Sequence, residues 1–184
     1  MYLYNKLSEQ LISVGLADWA NVEDIENVYE SVSKLEPGQN YLEIGVAKGA
    51  SLSVACLAAK EGVNLYGIDL IDWEDRPDKI QKMLDLNQKQ FTWFYIDGDS
   101  QMTAKSWDRG PIHVLYIDGD HTREGVLRDL VSWIPRVATG GRIIFDDYNL
   151  KTGVKQAVDG TILNNELFTN QKAKGESFSC TKSW

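Results

Sequence analysis

Three carboxylates and one imidazole stand where chemistry is possible. Asp118 ends the run "IHVLYID", Asp146 and Asp147 end "GRIIFDD", and His121 follows Asp118 by three residues in "DGDHT". Adjacent parallel strands lie about 4.8 Å apart. If these runs are such neighbours, three acids converge on a small volume and repel one another unless something neutralises them. A hard divalent cation such as Mg²⁺ does so, because it favours carboxylate and water oxygens and leaves positions for another ligand. An imidazole titrating near pH ~6.5 can take a proton at neutral pH and release it afterwards. Each feature has an alternative. Acids at strand ends also cap helices, Asp146 and Asp147 point to opposite faces of a regular strand, and the alternative for His121 is an exposed loop histidine. Asp120 reads as an N-cap or turn residue. His113, at the far end of its strand, reads as structural.

A second set of residues suggests a nucleoside. "FYIDGDSQ" (Phe94 to Gln101) echoes "LYIDGDHT" (Leu115 to Thr122), with Ser100 in place of His121. Asp99 and Ser100 offer an acceptor and a hydroxyl to an exocyclic amine and ring nitrogen. Asp69, ending "NLYGID", is placed to accept from ribose hydroxyls. The loop "EIGVAKGAS" carries Gly45 and Gly49, spaced G-x-x-x-G rather than the G-x-G-x-x-G of dinucleotide sites. Such loops usually seat a pyrophosphate on a helix N-terminus. Here Glu43 would repel one, so a cationic ligand suits it better.

These residues need a scaffold that brings strand ends together. Five short runs, Tyr41 to Val46, Asn64 to Leu70, Phe91 to Asp97, Ile112 to Asp118 and Gly141 to Asp147, are β-branched or aromatic, as buried parallel strands are. Helical patterns separate them, the clearest being Glu124 to Val137, with Val126, Leu130 and Ile134 on one face. Two helices, Leu3 to Val14 and Val22 to Leu35, precede the "EPGQN" turn. The tail reads as a hairpin around Lys174-Gly175 added to the sheet edge. The expected fold is a doubly wound α/β domain with a seven-stranded, mostly parallel sheet. The chain is expected to be one domain, with N-terminal helices over 1–38 and an α/β core over 39–184. In such a sheet, ligands bind beyond the carboxyl ends of the strands where strand order reverses.

Composition narrows the partners. The 184 residues suit one domain with a sizeable core. A formal net charge of -8 disfavours nucleic acid and anionic membranes, both of which need basic surfaces. A small substrate fits better. No run approaches a transmembrane length, and the first residues lack a signal-peptide pattern, so the expected location is cytoplasmic. Cys56 and Cys180 show no metal or redox spacing.

Together, "YLEIGVAKGAS", "YGIDL", "DGDS" and "VLYIDGDHTREGVLRDLVSWIPRVATGGRIIFDDY" resemble the class I S-adenosylmethionine-dependent methyltransferases, most closely the small-molecule O-methyltransferases of the macrocin and mycinamicin type. The resemblance spans about Tyr41 to Tyr148. It implies that Glu43, Gly45, Gly49 and Ser51 border the methionine part of S-adenosylmethionine, with Asp118 beside it. Asp69 would hold the ribose, and Asp99 with Ser100 the adenine. It further implies a cation, Mg²⁺ or another divalent ion, on Asp118, Asp146 and Asp147, and His121 as general base toward a small-molecule hydroxyl, in a possible homo-oligomer. Trp73, Tyr148 and Asn149 are candidate acceptor walls, and "DLIDWEDRPDK" reads equally as a rim or as a solvated surface. Two other readings are a non-catalytic S-adenosylmethionine-binding module and a nucleotide- or NAD-linked α/β enzyme. The missing middle glycine counts against the latter.

Overall fold

The computed structural model describes residues 1–17, 21–71 and 73–184; residue 72 of the expected acidic rim lies outside them. Two helices, α1 (Tyr2–Ser13) and α2 (Val22–Val32), precede alternating strands and helices. These are β1 (Asn40–Ile44), α3 (Ala50–Ala58), β2 (Asn64–Asp69), α4 (Arg76–Leu86), β3 (Phe94–Asp97), α5 (Ser100–Lys105), β4 (Ile112–Ile117), α6 (Arg123–Trp133), β5 (Val137–Phe145) and α7 (Thr152–Thr161). A hairpin, β6 (Phe168–Lys174) and β7 (Ser177–Lys182), ends the chain. The sheet order is β3-β2-β1-β4-β5-β7-β6, with β7 antiparallel to β5 and β6 antiparallel to β7. The other pairings are parallel, as the runs of apolar residues suggested.

Strand alternation divides the core. Tyr41, Val114, Tyr116 and Ile144 face one layer with Leu11, Ile25, Val28, Val54 and Ile80, from α1 to α4. Leu42, Ile44, Leu115, Ile117 and Phe145 face the other with Val126, Leu130, Trp133 and Val158, from α6 and α7. Both cysteines are buried thiols in these cores.

Some boundaries differ from the sequence expectation for local reasons. The third strand starts at Phe94 rather than Phe91, because it is an edge strand whose pairing with β2 runs only from Tyr66↔Phe94 to Asp69↔Asp97. Helix α6 stops at Trp133 and tightens into a 3₁₀ turn at Ile134–Arg136. Pro135 there has no N–H to continue an α-helix. The fifth strand begins at Val137, paired with Ile112 across a register shift. His113 is structural, its Nδ1 accepting from the Asn40 N–H at 3.2 Å.

The hairpin turn is seated on α2. Asp24 accepts from the Glu176 N–H at 3.2 Å, and Lys174 pairs with Glu26 at 2.7 Å. Asp24 is buried, and desolvation raises its carboxyl to about 7, helped by the charge of Asp146. Its protonated form therefore favours the folded state. The contribution is complete below pH ~4, the unfolded carboxyl range, and is lost as pH rises through about 7. Asp24→Asn is expected to leave stability near pH 4 almost unchanged and to raise it at pH 8. Urea unfolding at the two pH values checks this. An equal shift at both would show that the carboxyl's charge is not what matters.

Candidate active site

Strand order reverses between β1 and β4, so the crevice opens beyond their carboxyl ends. A cavity of about 430 Å³ lies there, lined among others by Gly45, Asp69, Gly98, Ser100, Gly119 and Asp129. A second cavity of about 280 Å³, bordered by Leu16, Val46, Lys48 and Ser51, adjoins it. Ala47, Trp73 and Asp118 line both. The two read as one elongated site with Asp118 at its junction.

The loop after β1 is packed against the end of β4. Gly45 has φ +84°, and a Cβ there would lie 1.9 Å from the Asp118 carbonyl oxygen. The contact is locked by β-ladder bonds on both sides: Gly45 N–H donates to Ile68 at 2.8 Å and Asp118 N–H to Ile44 at 2.8 Å. Two residues before Gly45, Glu43 points into the α3 layer and is fully buried. It accepts from the Tyr41 hydroxyl at 2.6 Å and from the Ser51 hydroxyl at 2.5 Å. Desolvation raises its carboxyl to about 8, against the pull of those two bonds. Glu43 lies behind the loop, and Ser51 lines the smaller cavity.

Asp69 ties loops together. Its Oδ2 accepts from the backbone of Val46 at 3.0 Å and Ala47 at 2.6 Å, and its Oδ1 from Ile71 at 3.0 Å. Arg76, 1% exposed, clamps the same loops from below. It donates to the carbonyls of Ala47 and Ile71 at 2.6 Å each and stacks 4.2 Å from the Tyr95 ring. In the sequence this arginine falls in the segment that reads as a rim or as a solvated surface. Pro77 beside it, at the start of α4, was the available sign that a helix begins there and turns the side chain inward.

At the end of β3, Asp99 caps α5, accepting from the Met102 N–H at 2.9 Å. Ser100 donates to Asp129 Oδ1, a partner the sequence reading missed. The i, i+4 pattern of α6 was read only for its apolar face, whereas Asp129 is buried three residues after Val126. Gln101 joins them, its Nε2 donating to Asp129 Oδ1 at 2.7 Å and to Ser100 Oγ at 3.0 Å.

At the ends of β4 and β5, His121 Nε2 lies 3.1 Å from Asp118 Oδ1 and 3.3 Å from Asp147 Oδ2. Donor atoms of these three residues lie within 4.8 Å of one another. That is a donor set of two carboxylates and an imidazole, which fits a divalent cation. Asp147 reaches the group because its left-handed backbone, φ 56°, breaks the strand's alternation. Asp146 is not one of the three. It remains in the ladder through its N–H to Ile117, and it is 5% exposed. Among the described residues, the group whose donor atoms converge thus pairs two of the three expected aspartates with His121. Desolvation raises Asp118 to about 7, opposed by the hydrogen bond from His121. That same bond raises the His121 imidazole. Asp120 forms a turn, accepting from the Thr122 N–H at 2.9 Å.

Of the three candidate acceptor walls, Trp73 lines the crevice. Tyr148 is buried against Phe178 and donates to Asp159 at 2.7 Å. Asn149 donates to the Gly175 carbonyl at 2.9 Å and so holds the hairpin. No helix among the described residues is long and apolar enough to cross a membrane.

Comparison with known proteins places this architecture. An uncharacterized protein of Acanthamoeba polyphaga mimivirus, R132, is 30% identical over 139 residues, covering 69% of this chain and 57% of that protein. The chain thus spans a little over half the length of that relative. An O-methyltransferase from Bacillus cereus, solved in complex with SAH, superposes with TM-score 0.64 at 16% identity, over 96% of this chain and 90% of that one. The O-methyltransferase NovP gives TM-score 0.66 at 16% identity, over 90% of this chain and 81% of that one. These likenesses establish the fold. The family model described as a methyltransferase domain matches residues 42–148, from β1 to just past β5. That span holds the glycine loop and all the strand ends described above, and the chain therefore belongs to the methyltransferase-domain family, with the class I S-adenosylmethionine-dependent methyltransferase fold.

Proposed function

We propose that the protein transfers the methyl group of S-adenosylmethionine to a hydroxyl oxygen of a small molecule, with a divalent cation and His121 assisting. The observation that carries this reading is the position of Asp118, which borders both halves of the crevice and meets His121 and Asp147 at its rim. Two structural neighbours, the Bacillus cereus enzyme and NovP, are O-methyltransferases, which supports a hydroxyl acceptor.

S-adenosylmethionine, when bound, supplies a methyl carbon already activated on a sulfonium, so the protein's work is alignment and deprotonation. Asp69 accepts from the ribose hydroxyls, and Asp99 and Ser100 border the adenine. Gly45, Gly49 and Ser51 surround the methionine part, with the buried Glu43 carboxyl behind them holding Ser51 in place. Asp118 and Asp147 would hold the cation, which lowers the pKa of an acceptor hydroxyl. Asp146 adds a buried charge close behind Asp118. With the two carboxylates turned to the cation, His121 Nε2 would no longer donate to Asp118, and the neutral imidazole would receive the hydroxyl proton there.

The approach of His121 to both carboxylates favours a second reading, in which its imidazole is the third ligand. His121→Ala separates the two. As a base, its loss lowers the transfer rate about 10²- to 10⁴-fold and leaves Mn²⁺ affinity, measured by calorimetry, within about threefold. A matching collapse of Mn²⁺ affinity would make it a ligand. For the main reading, methyl transfer across a panel of hydroxyl compounds should stop in chelator and return with added Mg²⁺ or Mn²⁺. Full transfer in chelator would remove the cation from the account.

A further inference from the structure

One polar group at the crevice has no part in the mechanism above. Asp129, on α6, is 2% exposed yet lines the larger cavity where Gly98, Ser100, Gln101 and Gly119 close its far end. Among the described residues, both of its donors, Ser100 Oγ and Gln101 Nε2, bond to Oδ1. Oδ2 is turned instead toward Gly119, where a Cβ would lie 3.5 Å away. Gly119 and Asp129 line the same cavity, and Gly119 has no side chain to stand between that oxygen and the cavity.

We propose that Asp129 Oδ2 accepts from the exocyclic amine of the cofactor's purine, making Asp129 the residue that selects adenine over a six-oxo purine. The inference rests on the S-adenosylmethionine reading and adds a specificity determinant to it. An ionised carboxylate only accepts hydrogen bonds. Adenine presents a donor at its six-position and hypoxanthine presents an acceptor, so the second base sets two acceptors face to face away from water. Such a buried mismatch costs about 1–3 kcal/mol. Ser100 and Gln101 fix the carboxylate's rotamer before the base arrives, so little ordering remains to be done on binding. Burial raises the Asp129 carboxyl, and the two donors act against that shift. The nearby charges act in opposite directions: Asp99 raises the carboxyl and Arg128 lowers it.

The substitution Asp129→Asn gives a signature that loss of folding cannot mimic. Its Oδ1 can keep both existing donors, which places an amide N–H where Oδ2 was. The cavity then offers a donor and suits a six-oxo base. Calorimetry with S-adenosylhomocysteine and S-inosylhomocysteine tests this. The wild type should prefer the adenosyl compound by about 30-fold, the equivalent of one buried mismatch. Asp129→Asn should bind the inosyl compound at least as tightly as the adenosyl one. In case Asp129→Asn does not fold, Asp129→Ser keeps a hydroxyl for the neighbours but leaves nothing at the Oδ2 position, and its preference should fall within about threefold. Equal wild-type affinities, or an unchanged preference in a folded variant, would overturn the assignment while leaving the cofactor site intact. Failure of the wild type to bind either compound would instead bring down the cofactor reading and this assignment with it.

Discussion

Asp118→Asn is expected to lower methyl transfer by about three orders of magnitude or more while the protein still folds and binds S-adenosylhomocysteine within about fivefold of wild type. The substitution changes no shape. Asparagine fits the same volume at the end of β4, and the backbone N–H to Ile44 and the carbonyl against Gly45 are untouched. What disappears is one of the two carboxylates facing His121. A neutral amide cannot hold a divalent cation beside Asp147, nor orient the imidazole as a carboxylate does. Stability should move little, because the lost ion pair with His121 is offset by relief of repulsion from Asp146 and Asp147. A melting temperature within about 3 °C of wild type is the expected control. Initial rates with saturating cofactor and acceptor, set beside calorimetric cofactor affinity, measure the effect. A variant that retains a tenth of wild-type turnover would remove Asp118 from the chemistry.

Gly45→Ala should produce the largest loss of stability of any single methyl addition in the crevice. Two costs combine. A side chain at φ +84° is strained by roughly 1–2 kcal/mol. The new Cβ also meets the Asp118 carbonyl, 1.9 Å away, and that oxygen cannot withdraw without parting β1 from β4. Overpacking against fixed backbone adds a further ~1–3 kcal/mol. The total, about 2–5 kcal/mol, is a large share of a small domain's stability. Gly38→Ala is the matching control. It has φ +85° but open space around its Cβ, so it should show the strain alone. Urea midpoints for the two variants make the comparison. If both lost the same amount, the close approach of the glycine loop to β4 would not be a determinant of the fold.

The scaffold was legible in the sequence because burial on both faces forces parallel strands into short apolar runs, and β1, β2 and β4 are such runs. The hairpin was legible from Lys174-Gly175, where Gly175 takes a positive φ in the turn. Boundaries were less so. Whether Phe91 to Trp93 pair depends on a neighbour that an edge strand does not have, and no local residue encodes that. The strand-end acids were found because position alone puts them at the crevice. Their orientations were not. A regular strand would send Asp147 to the other face, and only its left-handed backbone brings it to His121. Arg76 and Asp129 escaped notice for a shared reason: charged residues default to the surface. Their burial depends on partners far away in the chain, the carbonyl of Ala47 and the hydroxyl of Ser100.

The central claim is that one crevice holds a methyl donor alongside a cation gripped at the ends of β4 and β5. A crystal grown with S-adenosylhomocysteine and Mn²⁺, with anomalous differences recorded near the manganese edge, addresses both parts at once. The account predicts the ribose over Asp69, the purine between Gly98 and Gly119, and a single anomalous peak in contact with Asp118 and Asp147. A nucleoside bound outside the cavity of Gly45 and Asp69, or manganese density away from both of those aspartates, would contradict it.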